Sequence, residues 1–154
     1  MTDFFGTLGN DGKRDEMVTG IEVTRIGEST NQAFYKFTLR RPVDFAIVSV
    51  APVLAVEAGI CSNARIALGA VAPGPVRARG AKEVLKGGSI GQQAAMEAAE
   101  EAVGDAKPPG MNAYKIEITR RLVEEAILAQ DNYPLQIYSD INIHISICSF
   151  SQHK

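Results

Sequence analysis

The sequence predicts an α+β domain in which an antiparallel hairpin precedes a set of helices, and three observations carry that prediction. Residues 45–56 are apolar at nearly every position and rich in β-branched side chains, which suits a strand covered on both faces. A second apolar run, at Ile66, Leu68 and Val71, follows a short stretch holding Gly59 and Asn63. Two such runs joined by a short polar turn make an antiparallel hairpin the simplest arrangement. Beyond Pro73, Gly74 and Pro75 the apolar spacing changes from two to the three- and four-residue steps of helices, so the chain changes layer there.

Taken in order, the first thirty residues hold glycine and charge, with Ile21, Val23 and Ile26 between Gly20 and Gly27 reading as a short strand. Residues 34–39 alternate, placing Phe34 and Lys36 on one face and Tyr35, Phe37 and Leu39 on the other, the pattern of a half-buried strand. Pro42 breaks that strand, and Pro52 requires the next one to be at an edge, bulge, or end and restart, because proline has no backbone donor. A short helix over residues 81–86 closes on Gly87 and Gly88. Ser89 with Gln92 fits a capping box opening a second helix to about Ala106, which Lys107, Pro108, Pro109 and Gly110 stop. Tyr114, Ile118, Leu122, Val123, Ala126 and Ile127 stripe a third helix. In the tail, Ile141, Ile143, Ile145 and Ile147 alternate with polar residues, a strand pattern over 141–147. It either pairs with a free sheet edge or is an aggregation-prone tail with no place in the fold, the second being preferred.

The chain has 154 residues, the usual size of one domain. Sixteen basic and eighteen acidic side chains leave a net charge of -2, so no broad basic surface exists to release counterions from a nucleic acid, and none is expected as a partner. The longest apolar run is too short to span a bilayer, and the N-terminus lacks the basic-then-apolar order of a secretory signal, so no membrane partner and a cytoplasmic location are expected. Cys61 and Cys148 are far apart with no CxxC spacing, which points to two free thiols and to no metal ligands in this chain.

Few residues are placed for chemistry. His144 and His153 fall in the tail without a neighbouring serine or cysteine, and no catalytic residue is assigned. The paired carboxylates Glu100 with Glu101 and Glu124 with Glu125 sit on helices as solvated charges, the latter near Arg120 and Arg121. Arg77, Arg79 and Lys82 surround a helix start, but without a phosphate-loop spacing they suit a structural connection equally well. Lys36, Arg40, Arg41 and Asp44 form a charged approach to the apolar strand. They either offer cations to an anionic ligand or a reduced, negatively charged ring, or form an ordinary surface ion pair in which Asp44 takes either arginine, contributing about 0–1 kcal/mol.

Three blocks, YKFTLRRPVDFAIVSVAPVL, ICSNARIALGAVAPGPVRARGAKEVLKGG and YKIEITRRLVEEAI, carry a resemblance. In this order they resemble the C-terminal domain of the FAD-binding medium subunit of molybdenum hydroxylases, the group of carbon monoxide dehydrogenase and xanthine dehydrogenase. The opening DFFGTLGNDGKRDEMVTGIEV is similar to the last strand region of the FAD-binding domain that precedes it in the family. The resemblance implies a small antiparallel β-sheet packed against a cluster of about three helices. It divides the chain into residues 1–30 from the end of an FAD-binding domain, residues 31–130 as the C-terminal-like domain, and an unassigned tail, 131–154. It also implies a subunit relaying electrons from iron-sulfur clusters through FAD to an acceptor, with iron-sulfur and molybdopterin subunits as partners. Lys36 and Asp44 match the lysine and acidic residue that lie near the flavin ring. The glycine-rich segments that hold the FAD pyrophosphate are not in these residues, so an FAD domain supplied elsewhere is required. The alternative is a subunit-docking module or folded remnant that binds no cofactor alone.

Overall fold

Short strands open the chain: β1 (Phe5–Gly6) pairs antiparallel with β2 (Gly9–Asn10), and β3 (Glu16–Val18) follows. Next come β4 (Thr30–Gln32), β5 (Tyr35–Phe37), β6 (Val48–Glu57), β7 (Ile60–Gly69) and β8 (Val76–Arg77). The helices α1 (Arg79–Leu85), α2 (Gln92–Val103) and α3 (Tyr114–Leu128), with a 3-10 turn at Gly110–Asn112 before α3, precede β9 (Ile147–Ser149). This computed structural model describes residues 5–6, 9–10, 12–20, 29–40, 44–129 and 147–149. The strand expected around Ile21, Val23 and Ile26, the break at Pro42, and residues 141–146 of the tail lie outside them.

The chain divides into two compact units, Met1–Glu28 with Gln136–Lys154, and Ser29–Leu135. In the first, β3 pairs antiparallel with β9, Glu16 opposite Ser149, Met17 opposite Cys148 and Val18 opposite Ile147. The end of the tail therefore has a strand partner, contrary to the preferred expectation. Those ladder bonds join segments about 130 residues apart, which no local pattern reports.

The second unit is an open antiparallel sheet in the order β4-β6-β7-β8, with β5 also on β6, and three helices cover one face. α3 packs on β6, α1 on β7, and α2 against both other helices. The α+β class and the hairpin of two apolar runs are as expected. The core gathers Val48, Val50 and Leu54 of β6, Ile66 and Leu68 of β7, Ala81 and Leu85 of α1, Ala95, Ala98 and Ala99 of α2, and Val123, Ala126 and Ile127 of α3. Small side chains on α2 let it sit close to its neighbours.

Pro52 is accommodated differently from any expected way. It is buried in the middle of an unbroken β6, which is a central strand. β4 and β5 share one register against β6, Gln32 opposite Val53 and Tyr35 opposite Val50, so Ala33 falls opposite Pro52. The Ala33 amide donates to the Pro52 carbonyl at 3.1 Å. A hydrogen-bonded antiparallel pair would return a second bond from residue 52, and proline cannot make it. The missing donor thus faces the β4–β5 side, where the partner divides into two short strands, and the β7 ladder runs on past it.

The hairpin turn is Ala58–Gly59, both at positive φ, 50° and 80°, while Asn63, expected in the turn, lies within β7. Positive φ at both central positions is the two-residue turn that matches strand twist, and its preferred sequence is Asn-Gly. Alanine is strained there because its Cβ approaches the following carbonyl. Ala58→Asn is expected to stabilise the domain by about 0.5–1 kcal/mol, read as a rise of a few degrees in the thermal midpoint. A fall would show that the turn is not of this kind.

Just beyond the turn the register shifts between Ala55 and Val56, leaving Ser62 as an extra residue between Cys61, opposite Val56, and Asn63, opposite Ala55. The bulge reverses the alternation of β7. Cys61 therefore joins Ala64, Ile66 and Leu68 on the covered face, although a regular strand would turn it outwards. Two helix expectations are corrected as well. α2 begins at Gln92 with Gly91 as N-cap and no side-chain cap, because Ser89 is drawn into a bridge with Ile60, and it ends at Val103 rather than near Ala106.

Candidate functional site

The charged approach to β6 is built by one short strand and one chain reversal. Lys36 stands opposite Ser49 in the sheet, on the face that the helices leave uncovered. Its Nζ donates to the Asp44 backbone carbonyl at 3.2 Å. Arg40 Nε and Nη2 donate to Asp44 Oδ2 and Oδ1, each at 3.2 Å, and the Phe45 amide donates to Oδ1 at 2.9 Å. Thr38 Oγ1 donates to the Arg40 carbonyl at 3.2 Å. Of the two arginines left open as partners, Arg40 holds the aspartate, and Arg41 lies outside the described residues.

The structure brings Lys36 and Asp44 together, but through the aspartate's backbone rather than its carboxylate. The Arg40 guanidinium holds the Asp44 carboxyl below the usual carboxylate range, with help from the Phe45 amide and from Lys36, against a smaller opposing effect of desolvation. With Arg40 neutralising Asp44, the cluster presents the Lys36 ammonium as its excess charge. One of the three ammonium donors is used by the carbonyl, and the group is exposed, so it retains donors for an anion.

Because the folded value of Asp44 is lowered, its contribution to stability is fully present above the ordinary carboxylate value of about 3.9 and is lost as pH falls through the folded value. Arg40→Ala is expected to move the Asp44 midpoint up towards that ordinary value, followed by carboxyl carbon NMR across an acid titration. An unmoved midpoint would show that the guanidinium is not the cause.

Around this cluster stand apolar side chains that the sequence pattern assigns either to a half-buried face, Tyr35, Phe37 and Leu39, or to a strand covered on both faces, Phe45. Tyr35 packs against the core, but β5 ends at Phe37, and Leu39 and Phe45 are 79% and 93% exposed. Their exposure is the feature that sequence reasoning missed. The only signal was the run of charges that separates them. The second face of β6, carrying Ser49, Ala51, Val53 and Ala55, is half-buried rather than covered as expected. Phe34, opposite Ala51 in the same register, is 53% exposed on that face, with Arg65 and Arg77 standing opposite Val53 and Ala67.

The other candidates are dispersed. Arg77 lies on β8, Arg79 opens the seven-residue α1, and Lys82 faces Glu83 at 3.8 Å. Arg120 joins Glu117 and Glu100 at 2.6 and 3.0 Å, tying α3 to α2 at the surface. Glu124, expected to be solvated, is largely covered, accepting from Gln92 at 2.5 Å and from Arg121 at 3.3 Å. Cys61 is buried, which pushes its thiol up, and its Sγ donates to the Asn63 carbonyl at 3.4 Å. Among the described residues no helix is long and apolar enough to cross a membrane.

Comparison with known proteins places this arrangement. The carbon monoxide dehydrogenase from Hydrogenophaga pseudoflava lacking the Mo-pyranopterin moiety of the molybdenum cofactor matches with a TM-score of 0.63 and 29% identity, over 68% of this chain and 38% of that one. Quinoline 2-oxidoreductase from Pseudomonas putida 86 matches with a TM-score of 0.62 and 29% identity, over 66% and 37%. Reconstituted CO dehydrogenase from Oligotropha carboxidovorans matches with a TM-score of 0.60 and 26% identity, over 68% and 38%. The chain thus spans less than two fifths of the length of these structures. No curated protein sequence matches it. The family model for the CO dehydrogenase flavoprotein C-terminal domain matches residues 33–130, more than half of the chain and nearly all of the sheet and helices described above, and the chain belongs to that family.

Proposed function

We propose that this chain serves in the flavoprotein subunit of a molybdenum-dependent hydroxylase, as one wall of a flavin site completed by an FAD-binding domain. The observation that carries the reading is the second face of β6. Ser49 apart, its side chains are apolar, yet the helices cover only the other face, so a further layer fits against it. Lys36 stands on that face and the exposed Phe45 beside its start.

The residues fit a flavin in part. The ammonium of Lys36 suits a ring that gains negative charge on reduction, and Arg40 keeps Asp44 from opposing it. FAD, when bound, supplies the relay of electrons from iron-sulfur clusters to an acceptor. Lys36 fixes an anionic edge in place, Asp44 holds the Lys36 and Arg40 side chains, and the apolar face excludes water.

The test is the absorption and fluorescence of added FAD, with the chain alone and with a separately expressed FAD-binding domain of this family. Flavin uptake by the pair is expected, and Lys36→Ala is expected to weaken it roughly tenfold, the effect of losing a hydrogen bond to a charged group. Uptake in neither case overturns the cofactor role. The exposure of Leu39 and Phe45 favours a second reading, a docking module for other oxidoreductase subunits that binds no cofactor itself. Co-purification with an iron-sulfur or molybdenum subunit in the absence of flavin would select it.

A further inference from the structure

We infer that β9 is an exchangeable stand-in, occupying the edge of β3 against which a strand of the FAD-binding domain would pair, so that the tail and that domain compete for one ladder. This rests on the flavoprotein reading above. β3 falls in the opening segment that resembles the last strand region of such a domain, whereas β9 comes from beyond residue 130, where the family match ends. The two pair antiparallel over three successive residues. An edge strand presents unpaired amides and carbonyls that accept any extended segment of compatible register.

The pairing has the character of a substitute. Two strands of three residues make a ribbon too short to be stable by itself, since a sheet needs a third strand or a covering layer. Met17 and Val18 remain 55% and 45% exposed, so β9 satisfies the backbone of β3 while leaving these β3 side chains uncovered. A partner that brings both further strands and an apolar layer gains that burial in addition to the same ladder bonds, and displaces the tail.

The register provides the test, because Cys148 stands opposite Met17. Directly opposed antiparallel residues have Cα atoms about 4.5–5.5 Å apart, within the range a disulfide bridges. Met17→Cys in the full chain is expected to give an intramolecular disulfide between the introduced thiol and Cys148 on mild oxidation, identified by peptide mapping, and Val18→Cys several-fold less. No link, or one only between chains, overturns the intramolecular pairing. The linked form is then expected to bind a separately expressed FAD-binding domain of this family several-fold more weakly than its reduced form. Ile147→Pro, which takes a backbone donor out of β9 and fixes its φ away from extended-strand values, is expected to bind it more tightly than the unaltered chain. Equal binding by all forms overturns the competition. Binding by none of them, Ile147→Pro included, overturns the flavoprotein reading and the competition with it, while the link still decides whether β9 sits on β3.

Discussion

Leu54→Ala is expected to destabilise the domain by about 2–5 kcal/mol, the cost of the lost transfer of the apolar surface beyond Cβ plus the cavity left behind. Leu54 is fully buried on the covered face of β6, in the same core as Val123, Ala126 and Ile127 of α3. Its neighbours are held by two ladders, so the site has little freedom to collapse. Against a total stability on the order of 5–15 kcal/mol for a domain, such a loss takes a large share, and a denaturant midpoint would report it. Val53→Ala, one residue away on the half-buried face, provides the contrast. It is expected to cost less than about 1 kcal/mol, because most of its surface change is already towards solvent. Similar losses at both positions would refute the one-sided covering of β6 and remove the main support for a further layer.

Gly80→Val is the second substitution with a large expected effect, a destabilisation of about 1–3 kcal/mol from overpacking. A Cβ built on Gly80 comes within 3.2 Å of both the Cβ and the backbone carbonyl oxygen of Glu101, and 3.0 Å of its carboxylate. The carboxylate can swing aside, but the backbone of α2 cannot, so α1 has to move away from it. Two effects compete at this position. Replacing a helical glycine by alanine gains about 0.5–1 kcal/mol of backbone entropy, which offsets a contact only a few tenths of an ångström too short. Gly80→Ala is therefore expected to be nearly neutral, whereas valine adds two methyl groups to the same gap and gains less from propensity. Chemical denaturation of the pair checks this. A valine variant as stable as the alanine one would show that α1 and α2 are not in this close contact.

The local elements could be read because each is set by spacing along the chain. Tyr114 to Ile127 steps by three and four, and α3 is Tyr114–Leu128. Residues 45–56 are β-branched and apolar, and β6 is Val48–Glu57. Gly87 and Gly88 end α1, with Gly87 at a φ of 83°. Of the candidate site, Lys36 and Asp44 could be named from the family resemblance, and a pairing of Asp44 with an arginine from the charges themselves. That Lys36 reaches the aspartate's carbonyl instead of its carboxylate depends on where the fold sets Asp44 beside β5, which composition does not encode.

What the sequence determined by itself, then, was the kind and order of the elements and the family they belong to, since propensity, periodicity and motif order are properties of neighbouring residues. Only the tertiary structure decided which faces are covered. It turned the missing donor of Pro52 towards β4 and β5, left Ser62 as the bulge that sends Cys61 inwards, covered Glu124 beneath Gln92 and Arg121, and joined β9 to β3. The Pro52–Ala33, Glu124–Gln92 and β9–β3 contacts join residues distant in the chain. Burial and ladder bonding at such contacts outweigh local preference, and they are fixed only when the elements pack.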